Sequence, residues 1–353
     1  MSKQNLHVVV LAGGISHERD VSLRSGRRVT DALQRAGMRV ELIDPDAGLL
    51  GHLADSRPDV VWPVLHGASG EDGALYSLLR AIRLPYVGAK PGGARLAWDK
   101  GAAKVMAKRA GLRSPESIVL PNTVFRELGA SSVIDAIGAG LTLPAVVKPL
   151  EGGSAQGVSF VETLDDFRGA LVTALTYFDT ALIERKIEGT EVMVGVVDRG
   201  EGPFAIPAVE VVPNGGVFDY GARYNAGETT YYAPARLDED VATKVAAMAR
   251  SAYETIGLRD LARVDMIVDD AGEPWFIEAD PIPGLTETSI VPLGIEAAGL
   301  DLTAVYADLV RAAATRGHVE QNTETTEPAS TAAVDAAAAL EGGVPGSTGA
   351  PDR

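Results

Sequence analysis

The first hundred residues alternate between short apolar segments and segments whose apolar residues recur at helical spacing. His7–Ala12 and Val60–Leu65 are apolar runs typical of strands buried in a parallel sheet. Between them, Ser22–Ala36 carries apolar residues on one helical face, and Gly37 follows as a stop signal. Two further strands and one helix complete the pattern: Val40–Asp44, Leu84–Val87 and Gly73–Ile82. The order strand, helix, strand predicts an α/β unit with a parallel sheet and crossover helices.

The pattern changes after residue 98. A basic helix, Asp99–Ala110, precedes the strand Ala145–Lys148, the glycine-rich loop Glu151–Gly157 and the strand Val158–Val161, and the last three predict a hairpin. The other predicted elements are a helix Leu164–Thr176, a strand Ala181–Glu184, strands within Glu191–Val197 and Phe204–Val212, a helix Val241–Ile256, and strands Arg263–Val268 and Trp275–Ala279 joined by the turn Asp269–Gly272. A chain of 353 residues with these units suggests two or three domains.

Charge and composition exclude several classes of protein. The formal net charge of −16 disfavours binding to a nucleic-acid backbone, although a few local cations are enough for a nucleotide. The chain has no cysteine, so disulfides and cysteine-bound zinc are excluded, and its five histidines are scattered. No segment reaches the roughly 20 apolar residues that span a bilayer, and the apolar N-terminal run is too short for a signal sequence. We therefore expect a cytoplasmic protein with small-molecule partners, no membrane and no nucleic acid.

The composition shifts again near residue 317. From His318 to Arg353 the chain is rich in Thr, Glu, Ala, Pro and Gly, and six acids stand against the single base Arg353. Such a segment buries too little apolar surface to offset the entropy lost on ordering. We predict a disordered acidic tail over residues 317–353, with a poorly specified helix over Ala332–Leu340 as the alternative.

Lys148 stands at the end of a predicted strand and faces the loop Glu151–Gly157. An ammonium group supplies charge for a polyphosphate, and the backbone N–H groups of small residues can close over its oxygens. The loop is not a Walker A motif, which requires GxxxxGK[ST] before a helix. Taken alone, this motif is more often an ordinary glycine hairpin.

Three carboxylates are predicted to meet on neighbouring strands. Glu278 and Asp280 are two residues apart and share one face of a strand, and a short turn brings Asp265 on the preceding strand beside them. Carboxylates this close repel one another unless cations neutralise them, and oxygen ligands suit Mg²⁺ bridging nucleotide phosphates. A solvated acidic sheet face is the alternative, which we disfavour because the acids lie within apolar strands.

Three other features have a functional and a plain structural interpretation. The segment Glu184–Glu191 is either a strand exit that binds adenosine or a charged turn. Glu18, followed by two charged residues, is either a ligand-binding acid or a helix-capping acid. His66 follows a buried strand, and the carboxyl ends of parallel strands face the ligand crevice, so we favour an active-site position. His17 is assigned to the surface.

Taken in order, these features resemble the D-alanine–D-alanine ligase family from about Val8 to about Arg311. Each matching segment is a modest signal by itself, and the specificity lies in their order and spacing along most of the chain. The segments that carry the resemblance are Gly13–Ser22, Leu65–Gly73, Asp99–Lys100, Val147–Pro149, Arg263–Asp265 and Pro283–Ser289.

The resemblance implies an α/β chain with a three-domain ATP-grasp fold and ATP between the central and C-terminal domains. The implied units are an N-terminal α/β substrate domain (1–98), a central ATP-grasp subdomain (99–190), a C-terminal metal and catalytic domain (191–316) and the tail (317–353). The implied activity is the ATP-dependent ligation of two D-alanines to D-alanyl-D-alanine through D-alanyl phosphate, with release of ADP and phosphate, for peptidoglycan precursors. A homodimer is implied by the resemblance alone.

The resemblance also implies a nucleotide and metal site. Lys100 and Lys148 would hold ATP phosphates, and Arg223 stands near the γ-phosphate, where the family usually has a lysine. Two Mg²⁺ ions, for which Mn²⁺ can substitute, would be bound by three carboxylates: Asp265, Glu278 and Asp280. The remaining implied ATP-binding residues are Ser154, Glu184, Arg185, Ile187 and Glu191.

For the two amino-acid substrates the resemblance implies separate contacts. Glu18 would receive the ammonium of the first substrate, with His66 near its carboxylate, and Ser289 would bind the carboxylate of the second. Arg263 and the backbone N–H of Gly284 would face the developing oxyanion.

A lid is expected, because an acyl phosphate must be shielded from water. The segment Gly215–Thr230, rich in Gly, Tyr and Thr, is the candidate, and an ordinary β-meander loop is the alternative. Through contacts with Glu18, Tyr224 and Ser154 would hold this lid closed.

Two positions depart from the family pattern. Ser154 is followed by Ala155 where a pair of serines is usual, and Asp280 stands where an asparagine is usual. These departures leave open a specialised D-alanine–X ligase, in which X is D-serine, D-lactate or another small amino acid. A catalytically silent nucleotide-binding protein is the third possibility, which the retained lysines and carboxylates disfavour.

Overall fold

The computed structural model describes residues 5–138, 140, 143–216, 218, 220–224 and 227–324, and for residues 220, 224 and 318–324 it describes the backbone alone. Within these residues the chain forms three sheets with helices packed against them. The predicted mixture of helices and strands is confirmed.

The N-terminal unit is a parallel sheet in the order β2-β1-β3. Its strands are β1 (His7–Leu11), β2 (Arg39–Ile43) and β3 (Val60–Pro63), and its helices are α1 (Arg19–Arg35), α2 (Leu49–Ser56), α3 (Ala68–Glu71), α4 (Ala74–Ala81) and α5 (Pro91–Trp98). The predicted parallel sheet is confirmed. The prediction of a strand at Leu84–Val87 was wrong, because this segment pairs with β3 only through an isolated parallel β-bridge between Tyr86 and Val61. Pro85 has no N–H for a ladder, and the Leu84 N–H bonds back to Leu79.

The middle unit is an antiparallel sheet in the order β4-β7-β5-β6. The predicted hairpin around the glycine-rich loop is confirmed, because β5 and β6 pair antiparallel. The strands are β4 (Ser117–Pro121), β5 (Ala145–Pro149), β6 (Ser159–Val161) and β7 (Thr180–Arg185), and the helices are α6 (Lys100–Arg109), α7 (Asn122–Leu128), α8 (Ala130–Gly138) and α9 (Leu164–Tyr177). Helix α6 begins at a cap, where the Asp99 carboxylate accepts a hydrogen bond from the Ala102 N–H.

The C-terminal unit is a six-stranded sheet in the order β11-β10-β8-β12-β13, with β9 on the edge of β8. Its strands are β8 (Thr190–Val197), β9 (Phe204–Ala205), β10 (Val209–Pro213), β11 (Thr229–Tyr232), β12 (Leu261–Val268) and β13 (Pro274–Asp280). Its helices are α10 (Tyr220–Tyr224), α11 (Glu239–Ile256), α12 (Ile290–Ala297) and α13 (Leu302–Glu324). Strands β12 and β13 pair antiparallel, as their short connecting turn predicts.

Helix α13 extends past the predicted start of the tail. The helical backbone continues to Glu324, past the predicted boundary at residue 317. The first part of the helix is held by its apolar face, where Tyr306 is fully buried and its ring lies 5.3 Å from that of Trp62 on β3. Residues 325–353, including the alternative helix Ala332–Leu340, lie outside the described residues.

The apolar core joins the first and last units and leaves the middle unit with a core of its own. One cluster includes Leu11 of β1 together with Val264 of β12, and a second includes Val10 of β1 with Leu309 of α13. The middle unit has a separate cluster around Phe167 and Ile183. The middle sheet therefore stands across a cleft from the other two.

Among the described residues no single helix is long and apolar enough to cross a membrane. Helices α12 and α13 meet that criterion only as a pair, and they are bent by 110° at their junction.

Candidate active site

Two connected cavities lie where the three units meet. The outer cleft, of about 1080 Å³, lies between the middle and C-terminal sheets. The inner cavity, of about 1100 Å³, is bounded by the N-terminal and C-terminal units and the glycine-rich loop. The two share six lining residues: Lys100, Gly152, Gly153, Phe218, Arg223 and Glu278. A ligand in one cavity therefore reaches groups that also face the other.

The structure divides the site residues predicted from the sequence between the two cavities. The outer cleft is lined by Lys100, Lys148, Glu184, Arg185, Ile187, Glu191, Arg223, Asp265 and Glu278. The inner cavity is lined by Glu18, His66, Lys100, Ser154, Arg223, Arg263, Glu278, Asp280, Gly284 and Ser289. Only the side chain of Tyr224 lies outside the described residues, so its predicted contact with Glu18 does as well.

Lys104 and Lys148 both form ion pairs with the buried carboxylate of Glu184, which lines the outer cleft. Glu184 Oε1 lies 2.7 Å from Lys148 Nζ, and Glu184 Oε2 lies 2.7 Å from Lys104 Nζ. Burial favours the neutral acid, but the two lysines outweigh it and lower the pKa of Glu184. Burial likewise disfavours a charged Lys148, yet Glu184 raises the pKa of this lysine above its usual value. The group is a charged cluster, and the sequence had not pointed to Lys104.

Lys100 connects the glycine-rich loop to the acidic strands. Its Nζ donates a hydrogen bond of 2.5 Å to the carbonyl of Gly152 and lies 3.9 Å from Glu278 Oε2. Its backbone N–H also bonds to the Leu150 carbonyl. Because α6 begins at this residue, the helix fixes Lys100 at the junction of the two cavities.

The predicted adenosine residues line the far end of the outer cleft. Ile187 is buried there, and the guanidinium of Arg185 lies 5.1 Å from the ring centre of Trp275 on β13. Burial raises the pKa of Glu191 to about 7, even though Arg223 acts in the opposite direction. The wall thus combines apolar surface with one partly protonated acid.

Arg263 pairs with two of the three predicted metal ligands. Its Nε and Nη2 donate to the two carboxylate oxygens of Asp265 at 2.6 and 2.9 Å, and its Nη1 lies 2.9 Å from Asp280 Oδ2. Asp265 stands directly opposite Glu278 in the β12–β13 register. These acids are therefore close together on neighbouring strands, as predicted. The guanidinium of Arg263, which the sequence analysis had assigned to the oxyanion, pairs with two of them.

The surroundings shift the pKa values of these acids in different directions. Burial raises the pKa of Glu278, but Lys100 and Lys148 outweigh it and lower the pKa to about 2. Burial raises the pKa of Asp265 despite its pairing with Arg263. Across the described ranges no three acidic or histidine side chains are already arranged around a single point as a metal centre. The donor set is nevertheless all oxygen, which is the chemistry that Mg²⁺ prefers.

Glu18 lies where the glycine-rich loop meets the N-terminal unit. Its Oε1 accepts a hydrogen bond from the Ser154 hydroxyl. A Cβ on Gly153 would lie 3.3 Å from Glu18 Oε2, so the loop approaches this carboxylate closely. Ser154 and Ala155 have left-handed backbone angles, with φ of 54° and 55°, which turn the loop toward α1. The predicted contact between Ser154 and Glu18 is present.

His66 is paired with a buried acid that the sequence analysis had left without a role. Its Nδ1 lies 3.7 Å from Glu71 Oε1, and the same oxygen accepts a hydrogen bond of 2.8 Å from the Gly67 N–H. Burial, together with the nearby Asp280, raises the pKa of Glu71 to about 7. Burial disfavours a charged His66, but Glu71 raises its pKa above the usual value. The sequence signal was available, because Glu71 lies inside a segment that carried the resemblance.

Ser289 and Gly284 lie together at the start of α12. The Ser289 hydroxyl oxygen accepts a hydrogen bond of 3.0 Å from the Thr286 N–H and lies 2.8 Å from the Thr286 hydroxyl. A Cβ on Gly284 would come within 2.9 Å of Ser289 Oγ, so only glycine leaves this oxygen accessible. The start of a helix and a neighbouring hydroxyl suit a carboxylate ligand.

The segment predicted as a lid contains a short helix. Within it, α10 places Arg223 at the junction of the two cavities, where its guanidinium lies 4.2 Å from the ring centre of Phe218. The carbonyl of Ala222 accepts a hydrogen bond of 2.6 Å from the Thr229 hydroxyl. A simple β-meander loop does not describe this segment, because it contains a helix, and its residues Phe218 and Arg223 line both cavities.

Comparison with known proteins finds relatives along most of the chain. The model of the "D-ala D-ala ligase C-terminus" family matches residues 106–311. A D-alanine–D-alanine ligase of Pelotomaculum thermopropionicum is 36% identical over 308 residues, covering 87% of this chain and 96% of the relative. One of an Anaeromyxobacter species is 39% identical, covering 84% and 92%. One of Bordetella pertussis is 38% identical, covering 88% and 94%.

Solved structures have the same fold. The VanG D-Ala:D-Ser ligase of Enterococcus faecalis superposes with a TM-score of 0.75 and 26% identity, covering 88% of this chain and 100% of that one. A D-alanine–D-alanine ligase of Bacillus anthracis superposes with a TM-score of 0.74 and 25% identity, covering 89% and 99%. The chain thus shares the overall fold of these ligases.

Proposed function

Since the chain belongs to the D-alanine–D-alanine ligase family, we propose that it joins two D-alanines to D-alanyl-D-alanine. ATP drives the reaction through D-alanyl phosphate, and ADP and phosphate are released. The observation that carries this proposal is that Lys148 of the middle sheet and Asp265 of the C-terminal sheet line one and the same cleft. The dipeptide is a peptidoglycan precursor, and a cytoplasmic homodimer is the form that the family resemblance favours.

ATP is assigned to the outer cleft. Its adenosine would lie along the wall formed by Glu184, Arg185, Ile187 and Glu191, with its phosphates toward Lys100, Lys148, Ser154 and Arg223. Lys148 in the outer cleft, with Lys100 and Arg223 at the junction of the cavities, would supply the charge that phosphoryl transfer requires, since this reaction depends on positioning and neutralisation. Arg223 takes the place of the usual lysine near the γ-phosphate, which fits its position facing both cavities.

Two Mg²⁺ ions, or Mn²⁺ in their place, are assigned to Asp265, Glu278 and Asp280. The fit rests on the chemistry of the donors, because Glu278 is held ionised and all three side chains offer carboxylate oxygens. When bound, the ions would neutralise the triphosphate and polarise its γ-phosphoryl group. Arg263 would then be released from part of its pairing with these acids.

The amino acids are assigned to the inner cavity. The ammonium of the first D-alanine would bind Glu18, and its carboxylate, near His66, would attack the γ-phosphorus as ADP leaves. The second D-alanine, held at its carboxylate by Ser289, would then attack the acyl carbon with its amine, lose a proton and displace phosphate. Arg263 and the Gly284 N–H would stabilise the oxyanion, at about 3 kcal/mol for each well-placed donor.

The lid and the glycine-rich loop would exclude water during this step. Ser154 already bonds to Glu18, and Tyr224, on α10, would add a second link between the lid and the same carboxylate. An acyl phosphate exposed to water would hydrolyse before the second amine reacts. We therefore place both residues with Glu18 as the group that closes the site.

A D-alanine–X ligase is the second candidate, and one observation favours it. One of the solved structures that superpose with a TM-score of 0.75 is a D-Ala:D-Ser ligase. In this chain, the region Asp280–Ser289 and the lid would determine the choice of acceptor, because both line the inner cavity.

Phosphate release by the purified protein tests these assignments. With ATP and Mg²⁺ present, D-alanine, D-serine, D-lactate and L-alanine are supplied singly and in pairs, and the product is identified by mass spectrometry. Release with D-alanine alone, with D-alanyl-D-alanine as product, supports the proposal. Release only when D-alanine is combined with another acceptor supports the second candidate. Binding of ATP without release in any mixture contradicts both, and Lys148→Met serves as the inactive control.

A further inference from the structure

Lys104 is a buried cation that touches neither cavity. It lies one turn after Lys100 on α6 and is 1% exposed. The residues that line the outer cleft and the inner cavity include Lys100 but not Lys104. The ion pair with Glu184 Oε2, at 2.7 Å, is its contact with the site. Lys104 thus contacts the wall of the site through its ion pair with Glu184.

The carboxylate of Glu184 is shared between two cations on opposite sides. Its Oε1 pairs at 2.7 Å with Lys148, which faces the outer cleft, and its Oε2 pairs with Lys104, which lies behind it. One negative charge and two positive charges leave this group with a net charge of +1. If Lys104 were neutral, Glu184 and Lys148 would form a closed pair without net charge.

We propose that Lys104 is a positioning residue for the nucleotide: by neutralising Glu184 from behind, it leaves the charge of Lys148 available to the polyphosphate. This inference rests on the assignment of ATP to the outer cleft. Because both lysines pair with this one buried carboxylate, its single negative charge does not neutralise Lys148 completely. Without Lys104, the buried Glu184 has Lys148 as its close cation, and a phosphate must compete with that carboxylate for the same ammonium.

The proposal predicts which part of the nucleotide is affected. Loss of Lys104 weakens contacts of Lys148 with phosphates and leaves the adenosine wall of Ile187 and Arg185 in place. The loss of one charge-assisted contact corresponds to a weakening of about tenfold to a hundredfold. ATP and ADP therefore lose affinity by that factor, adenosine does not, and kcat at saturating ATP stays within about twofold.

The experiment is titration calorimetry of ATP, ADP and adenosine with the full-length protein, alongside KM and kcat. Lys104→Met removes the charge at similar volume, and Lys104→Arg keeps it. The matched control is Lys108→Met, because Lys108 lies one further turn along α6 and is exposed. We expect a higher Kd and KM for ATP in Lys104→Met, partial recovery in Lys104→Arg and no change in Lys108→Met.

A double variant separates positioning from a structural role. In the Glu184→Gln background no carboxylate retains Lys148, so Lys104→Met should no longer weaken ATP binding, and the comparison with Glu184→Gln alone cancels any contact of Glu184 with the adenosine. Equal losses for ATP and adenosine in Lys104→Met, or the same loss of ATP affinity when Lys104→Met is added to Glu184→Gln as when it is added to the wild type, would overturn the inference. If the wild type binds no ATP, the proposed function itself fails. If the wild type binds ATP and Lys104→Met binds it with the same Kd, only this inference fails.

The dependence on pH gives a readout that needs no variant to fold. Burial lowers the pKa of Lys104 to about 8, and the charged groups that act on it are Glu184 on β7, Lys148 on β5 and Glu278 on β13. As the pH rises through about 8, Lys104 loses its proton, so the ATP affinity of the wild type falls while its adenosine affinity does not. A flat ATP affinity from pH 7 to pH 9 contradicts the inference.

Discussion

Ser154 donates a hydrogen bond to the carboxylate of Glu18, joining the glycine-rich loop of the middle unit to the first helix of the N-terminal unit. The two residues are 136 positions apart in the sequence. The loop reaches Glu18 because Ser154 and Ala155 both take left-handed backbone angles. This contact holds the acid assigned to the first ammonium in place before any substrate arrives.

Ser154→Ala should lower kcat/KM for D-alanine by about tenfold to a hundredfold, the usual value of a hydrogen bond to a charged group. The free energy of unfolding should change by less than about 1 kcal/mol, because this loop is only half-buried. The control is Ala155→Ser, a change at the next residue, which has nearly the same φ. Steady-state kinetics and urea denaturation check this, and unchanged kcat/KM in Ser154→Ala would refute the role.

Asp280→Asn should weaken the binding of Mg²⁺ that supports turnover. The Asp280 carboxylate adds a negative charge where the family usually has an amide, and it is close enough to Arg263 to form an ion pair of 2.9 Å. Removing that charge should raise the Mg²⁺ concentration for half-maximal ATP turnover by about threefold to tenfold, roughly 1 kcal/mol. The control is Asp270→Asn, in the exposed turn between β12 and β13. Superimposable Mg²⁺ curves for Asp280→Asn and wild type would rule this out.

The local part of the site was predictable from the sequence. A short turn between β12 and β13 forces antiparallel pairing, so Asp265 and Glu278 had to lie near each other. The hairpin around residues 151–157 likewise follows from two short strands and a run of small residues. The meeting of Lys148 with Asp265 in one cleft came from the family resemblance, because no local rule positions one sheet against another.

Three features could not be predicted because they depend on long-range packing. Lys104 belongs to a helix that looks basic and exposed in sequence, and its burial arises only where α6 packs against β13 and β4. Arg263 shares a strand face with Asp265, so their contact was available as a signal, but its contact with Asp280 depends on the register of β13. The position of α13 depends on an apolar face, formed by residues up to Ala314, that packs on β3 and α1.

Arg316→Met should lower the free energy of unfolding by about 2–3 kcal/mol. Asp260 is 1% exposed, and its Oδ2 receives the Arg316 guanidinium at 2.8 Å and the Gly88 N–H at 2.9 Å. This carboxylate therefore ties α13 and the N-terminal unit to the start of β12. Removal of Arg316 leaves a buried charge with Arg259 at 3.6 Å as its closest remaining cation.

Asp260→Asn should cost less than Arg316→Met, because burial raises the pKa of Asp260 and makes its charge unfavourable in the folded state. The control is Arg311→Met on the same helix, whose partner Asp308 is exposed to solvent, and whose loss should cost less than about 1 kcal/mol. Chemical denaturation of the three variants measures this order. Equal losses for Arg316→Met and Arg311→Met would show that the buried pair has no special importance.

Glu210 and Arg236 form an ion pair between the segments that precede and follow the lid segment. Their pairing should make the free energy of unfolding fall in acid. Glu210 on β10 accepts hydrogen bonds from Arg236 Nε at 2.9 Å and Nη2 at 2.5 Å, and Arg236 lowers the pKa of this acid. The folded pKa is thus below the unfolded value of 4.5, so the stabilisation is complete above that value and is lost as the pH falls through the folded pKa. The Arg236 side chain is 56% exposed, which limits the effect to about 1 kcal/mol.

Glu210→Gln should therefore be about 1 kcal/mol less stable than wild type at pH 7, with the gap closing below pH 4 as the wild-type acid protonates. Glu254→Gln, at an exposed position of α11, is the control and should follow the wild type at every pH. Urea denaturation at pH 3, 5 and 7 gives the three curves. A gap that stays constant down to pH 3 would show that the substitution at Glu210 perturbs packing and that the ion pair makes no contribution of its own.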